Sequence, residues 1–242
     1  MAVPRGAPRA AAAPPRAGRC GRRRRVAAPG RSPRGAVGYT APVSRVELWF
    51  EFASTYSYPA VMRAEEAARA AGASLAWRAF LLGPIFRAQG WNDSPFNLYP
   101  VKGRYMWRDL ERICEELKLP FRRPSVFPRN GLVAARVACW HADAPWLPGF
   151  VRGVYRANFA EDRDIASRDV VGDVLAEAGA DPRAALAAAE APRAKERLRA
   201  QTERATALGI FGAPSFVVGE ELFWGNDRLE QALAFARRAP AP

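Results

Sequence analysis

The residues that could do chemistry crowd into one stretch, Val46-Glu47-Leu48-Trp49-Phe50-Glu51-Phe52-Ala53-Ser54-Thr55-Tyr56-Ser57-Tyr58. Val46, Leu48, Phe50 and Phe52 alternate with Glu47, Trp49 and Glu51, the period of a strand. Ser54, Thr55 and Ser57 follow, all suited to a helix N-cap. Val61 to Ala71 is rich in helix formers, and Gly72 supplies a stop. Ser54 is therefore expected at the mouth of a helix that leaves a sheet, beside free backbone N–H groups and the positive dipole end. That place suits an anion such as a carboxylate or a thiolate. The plainer alternative is that Ser54 only caps the helix; this stretch alone leaves both open.

Other chemistries lack their residues. Cys20, Cys114 and Cys139 form no CxxC, no disulfide framework and no zinc pattern. His141 is the one histidine, which argues against a Ser–His or Cys–His pair. No stretch reaches the length of uncharged apolar sequence that a transmembrane helix needs. Only Lys102, Lys118 and Lys195 are lysines, against 34 arginines (37 − 3), so Lys102 stands out while single arginines carry little signal.

The elements that must position Ser54 read as follows. Residues 74–82 alternate and make a second strand, so the first helix closes a βαβ unit with parallel pairing. Residues 83–103, with Gly83-Pro84, Gly90, Pro95, Pro100 and Gly103, read as a long irregular loop ending near Lys102. Residues 104–206 read as helices, with Asn130-Gly131, Ser167 and Asp181-Pro182 as starts. The aromatics from Trp146 to Phe159 are expected in the core. Residues 210–224 read as a turn, a strand, a short hairpin and a second strand. Gly225-Asn226-Asp227 is expected to cap a last helix from Arg228 to Arg238.

The chain has 242 residues and a net charge of +13. Residues 1–45 hold eleven arginines and no acid, which leaves +2 (13 − 11) for the rest. The basic balance belongs to a tail, not to a binding face. Residues 1–42 have seven prolines and no hydrophobic period, and are expected to be disordered. Three readings of this tail stand: an extension without function, an organelle transit peptide, or a contact for nucleic acid or anionic membrane. A secretory signal is not among them, since no apolar run follows the charges.

Four stretches in register resemble the 2-hydroxychromene-2-carboxylate isomerases, relatives of the kappa-class glutathione transferases. Phe50 to Tyr58 is similar to the family's F-D-F-x-S-P-Y-S-Y, and Phe80-Leu81-Leu82-Gly83-Pro84-Ile85-Phe86 to its loop after the second strand. Pro100-Val101-Lys102-Gly103-Arg104-Tyr105-Met106 with Asp109-Leu110 is similar to P-x-K-G-x-Y-M-x-x-D-L. Phe211-Gly212-Ala213-Pro214-Ser215-Phe216 with Phe223-Trp224-Gly225-Asn226-Asp227-Arg228-Leu229 is similar to the closing G-x-P-x-F…F-W-G-x-D-R-L. Thr55 departs from the family's Pro, Pro59 from an apolar residue, and Asn226 from other polar types.

The resemblance implies an α/β fold, a thioredoxin-like domain with a large α-helical insertion. Its expected limits are 43–85 with 207–242 for the thioredoxin-like domain and 86–206 for the insertion. It implies a cis bond before Pro214 and Ser54 as the catalytic serine, where redox relatives carry a cysteine. It implies glutathione as cofactor. Ala213, ahead of Pro214, would pair with the cysteinyl backbone. Asn226 and Asp227 would hold the γ-glutamyl end, Lys102 would face a carboxylate, and Asn92, or Asp93, would add a hydrogen bond. The implied reaction is isomerisation of a fused-ring aromatic catabolite, in the cytoplasm, with no metal and no membrane contact. The resemblance also implies a homodimer, which the residues themselves do not derive. A kappa-type glutathione transferase or peroxidase is the alternative activity. A thioredoxin-fold binding protein with a nucleic-acid-contacting tail is the alternative from another class.

Overall fold

Val46, Leu48 and Phe50 turn one face of the first strand into the core, but the opposite face is buried too: Trp49 is fully covered, with Phe80, Ile85, Ile210 and Val217. A strand closed on both sides belongs inside a sheet, and that is its place in the computed structural model, which describes residues 45–238. The tail expected to be disordered at 1–42 lies outside the described residues. β1 (Arg45–Phe50) pairs in parallel with β2 (Ser74–Ala79) through α1 (Ser57–Ala70), as the βαβ reading requires. On its other side β1 runs antiparallel to β3 (Ser215–Val218), which forms a hairpin with β4 (Glu221–Trp224). The strand order is β2-β1-β3-β4. Glu47, the partly exposed residue in the middle of β1, is held by Arg78 at 2.9 Å and Arg204 at 2.8 Å.

Between β2 and β3 the chain is helical: α2 (Leu82–Ala88), α3 (Pro95–Leu98), α4 (Pro100–Glu116), α5 (Leu132–Trp140), α6 (Leu147–Phe159), α7 (Arg168–Glu177), α8 (Pro182–Glu190) and α9 (Pro192–Ala207). This is the α/β fold with a helical insertion that the sequence implies. The long loop expected at 83–103 is not there. Three helices occupy it, because Pro95 and Pro100, which read as breakers, each stand in a first turn, where a missing N–H costs nothing. Gly103 lets α4 pass close to α3, since a Cβ there would lie 2.2 Å from the Phe96 carbonyl oxygen. Lys102 therefore sits on a helix.

Other starts match. Ser167 accepts from the Val170 N–H, and Asp181 from Arg183 and Ala184. The last helix differs. Asn226–Arg228 form a single 3₁₀ turn, and α10 (Leu229–Ala236) begins after it with no capping bond from Asp227. Phe150, Tyr155 and Phe159 on α6 are fully buried and packed around Phe52 and Tyr58, edge-on or tilted against Phe52 and stacked on Tyr58. Each such ring contributes about 1.5–3 kcal/mol by leaving water. They clamp the turn between β1 and α1 from below.

Candidate active site

That turn does not do what its hydroxyls suggest. The residue before α1 is Tyr56, and no side chain caps the helix. The Ser54 hydroxyl donates instead across the fold, to the Ala213 carbonyl at 2.8 Å. The Thr55 hydroxyl donates to the Met106 sulfur at 2.9 Å and is buried. Tyr56 Oη donates to Asp109 at 3.0 Å. Three neighbouring side chains thus pin the mouth of α1 to the loop before β3 and to α4. The capping alternative for Ser54 is set aside by this geometry.

The Ala213–Pro214 bond is cis, as expected, and Phe127–Pro128 is a second cis bond that the sequence did not announce. The Pro214 carbonyl accepts from the Gly225 N–H at 3.0 Å. Gly225 has a φ of 118°, which an L side chain rarely adopts. This kink presents Asn226 to α1, where Arg63 Nε donates to Asn226 Oδ1 at 3.2 Å and another guanidinium nitrogen reaches the Asn226 carbonyl. A closed ring of bonds results: Ser54 to Ala213, Pro214 to Gly225, Asn226 to Arg63, and α1 back to Ser54.

The ring forms the floor of a cleft of about 1090 Å³. Ser54, Asn92, Lys102, Ala213, Asn226 and Asp227 all line it, and Pro214 lies buried directly behind Ala213. The structure thus brings together every site residue expected from the sequence. Their states differ. The Ala213 carbonyl is already taken by Ser54, so it is not free as expected; among the described residues its N–H has no partner. Asn226 is buried, and its Oδ1 belongs to Arg63. Asp227 is exposed, 3.5 Å from its neighbour Arg228. Lys102 is exposed, its ammonium 5.7 Å from the Tyr99 ring, and makes no ion pair among the described residues. Asn92 is exposed, while Asp93 is spent on Asn97 and the Ser94 N–H.

Three residues of the site were missed. Arg63 is hidden among many arginines. Arg129 lines the cleft almost fully buried, tied to Asn158 and Asp162. The Ser125 N–H, Arg129 and the Ser125 hydroxyl hold Asp162 at about 2. Glu51 reads as an outward strand residue, yet β1 ends at Phe50 and Glu51 borders the cleft. Burial pushes its carboxyl up to about 7, against the Ala53 N–H that pulls it down. Trp91, Phe127, Phe211 and Trp224 give the cleft aromatic walls. His141 packs at a tilt against Trp146 and does not line the cleft. No cluster of metal-ligating side chains occurs among the described residues.

Residues 45–235 match the DSBA-like thioredoxin domain. The chain belongs to the DSBA-like thioredoxin family. It is 30% identical over 187 residues to a 2-hydroxychromene-2-carboxylate isomerase of Pseudomonas sp. (strain C18), covering 76% of this chain and 86% of that one. It is 27% identical over 194 residues to the enzyme of the same name from Sphingobium xenophagum, covering 76% and 94%. A solved 2-hydroxychromene-2-carboxylate isomerase superposes with a TM-score of 0.71 at 26% identity, over 80% of this chain and 95% of that one. A glutathione S-transferase kappa 2 of Caenorhabditis elegans is 26% identical over 154 residues, 56% of this chain and 67% of that one. Within its family this DsbA-like chain is therefore an enzyme of the 2-hydroxychromene-2-carboxylate isomerase group.

Proposed function

We propose that this chain is a glutathione-dependent isomerase acting on 2-hydroxychromene-2-carboxylate-like aromatic catabolites. The observation that carries the reading is the Ser54 hydroxyl on the Ala213 carbonyl, at the floor of a cleft whose rim bears Lys102 on one side and Asp227 on another. The residues present fit the cofactor. An extended peptide-like ligand with a carboxylate, an ammonium and a backbone meets a cation, an anion and the open N–H of Ala213. The aromatic walls suit a fused-ring substrate. When bound, glutathione supplies a thiol whose ionised form adds to an unsaturated carbon, frees a bond to rotate and leaves again.

The chain's own residues do the rest. A serine has one O–H to donate. Turning it from Ala213 toward sulfur stabilises the negative charge there, helped by the first-turn N–H groups and dipole of α1. The same turn frees the Ala213 carbonyl for a ligand N–H, so one rotation serves both groups. Ser54 is not itself the nucleophile in this scheme, since His141 lies elsewhere. The reading places the thioredoxin-like domain at 43–85 and 207–242, with 86–206 as its insertion, and the enzyme in the cytoplasm.

The test is calorimetry of glutathione with the full chain, beside an isomerase assay on 2-hydroxychromene-2-carboxylate. Binding with glutathione-dependent turnover supports the proposal; absence of glutathione binding sinks it. The likeness to the kappa transferase favours a second reading, the same thiol directed at another electrophile. A panel of electrophiles that consume glutathione while the chromene is left unchanged would establish that one.

A further inference from the structure

One carboxyl of the cleft has no part in the scheme above. Glu51 is the first residue after β1, and its backbone is fixed twice. Its carbonyl accepts from the Ser54 N–H at 2.9 Å and from Tyr155 Oη at 2.7 Å. Its side chain folds back so that Oε2 accepts from the Ala53 N–H at 3.1 Å. Among the described residues Oε1 has no partner, and Glu51 borders the cleft that Ser54 lines. Glu47, four residues earlier, makes the contrast: burial raises it, but Arg204 and Arg78 outweigh that and hold it low. No arginine or lysine pairs with Glu51 among the described residues.

Most charged groups around Glu51 are engaged elsewhere, and Lys102, without an ion pair among the described residues, stands at the rim over the Tyr99 ring. Tyr155, packed against it from α6, is held un-ionised by burial first and by Glu51 second. Across the cleft Arg129 turns to Asp162, Asp109 to Tyr56 and Arg112, and Asp227 to Arg228. Glu51 is thus an unpaired acid beside the serine, with one oxygen free.

We propose that Glu51 is the base that takes the proton of the thiol bound at Ser54 and returns it when the thiol leaves. The inference rests on the glutathione reading. Ser54 can donate a hydrogen bond to a thiolate but has no capacity to hold its proton, and among the described residues no histidine or cysteine lines the cleft. In the step, the S–H bond breaks, its electron pair stays on sulfur and an O–H bond forms on Glu51. Departure of the thiol reverses both, so no proton is consumed over the cycle. Burial sets Glu51 at about 7, where it exchanges a proton with a thiol at small cost in either direction.

The experiment uses the full chain, its Glu51→Gln variant, glutathione and S-methylglutathione. Binding is measured above the pH at which Glu51 is half ionised. The ultraviolet thiolate band counts thiolate, and calorimetry in two buffers of different ionisation enthalpy counts protons. The wild type is expected to form thiolate while delivering almost no proton to the buffer. Glu51→Gln is expected either to lose the thiolate band or to form it with about one proton released per glutathione. S-methylglutathione, with no proton to give, should bind both proteins alike, which shows that the variant is folded. A wild type and a variant with the same thiolate yield and proton count overturn the proposal while leaving the cofactor reading intact. A wild type that binds neither ligand overturns both.

The free protein gives an independent check. A carboxyl raised in the fold contributes stability below its ordinary range and loses it as pH rises through the folded value. The melting temperature of the wild type should therefore fall relative to Glu51→Gln as pH rises from the ordinary carboxyl range to about 7, and level off above it. Parallel curves overturn the proposal.

Discussion

The floor and the rim of the cleft are built on different terms. On the floor, Ser54, Ala213, Pro214, Asn226 and Arg63 are buried or half-buried and close a ring of hydrogen bonds across β1, β3 and α1. On the rim, Asn92, Lys102 and Asp227 are exposed and lightly held. A floor of this kind fixes where a reacting atom can stand, because each member is held by its neighbours. A rim of this kind attracts a charged ligand and lets it go. The chemistry should accordingly depend on the floor, and affinity and salt response on the rim. The following variants press on that division.

The largest effect belongs to Ser54→Ala. It removes the one hydroxyl positioned for the sulfur and the tie to Ala213. Loss of a single preorganised donor to developing charge costs about 10²–10³-fold in kcat. Steady-state rates with glutathione saturating should show that fall with little change in KM. Unchanged turnover would reduce Ser54 to a structural tie between two loops.

Arg63→Ala comes next. Arg63 does not line the cleft; it acts through Asn226, and its loss leaves Oδ1 and a buried carbonyl without their donor. Losing a hydrogen bond from a charged donor costs about 1.5–3 kcal/mol, so glutathione should bind roughly tenfold more weakly. Glu230→Ala is the control, because its ion pair with Arg63 is largely exposed and such pairs are worth little. Equal losses in both variants would mean that Arg63 serves α10 rather than the turn.

How much of this was legible in the sequence follows the same line. The floor could be placed where its residues are consecutive, since Phe50 to Tyr58, Phe211 to Phe216 and Gly225-Asn226 carry the family resemblance, although the caps expected at Ser54 and at Asp227 are absent. The partner of Ser54 could not, since 159 residues separate it from Ala213 and the caps rule points to the helix instead. Pro95 and Pro100 misled because a proline breaks a helix interior and starts a helix equally well. Glu51 fits the alternation of a strand that has in fact already ended. Arg63 and Arg129 carry no local mark; only burial and partners distinguish them from the other arginines.

Lys102→Met tests the rim. The ammonium is exposed and without an ion pair among the described residues, so the fold should not notice its loss. KM for glutathione should rise about threefold to tenfold at low salt, with kcat within about twofold. The gap to wild type should close as salt shortens the screening length below roughly 10 Å. A fall in kcat that salt leaves unchanged would move Lys102 from the rim to the chemistry.

Thr55→Ala should have the smallest effect, and it divides a reacting group of the floor from a buried strut within two adjacent residues. Both Ser54 and Thr55 border the cleft and both carry a hydroxyl, but the Thr55 hydroxyl faces Met106 on α4 and is 1% exposed. Its removal costs one internal hydrogen bond, about 1 kcal/mol, or about 2–4 °C in Tm for a domain of this size. Turnover and glutathione affinity should stay at the wild-type level. A melting shift with intact kinetics keeps position 55 as a strut for the mouth of α1. A loss of kcat approaching that of Ser54→Ala would mean that the Thr55 hydroxyl swings into the cleft when the ligand arrives, and that the ring closing the floor is only one of its arrangements.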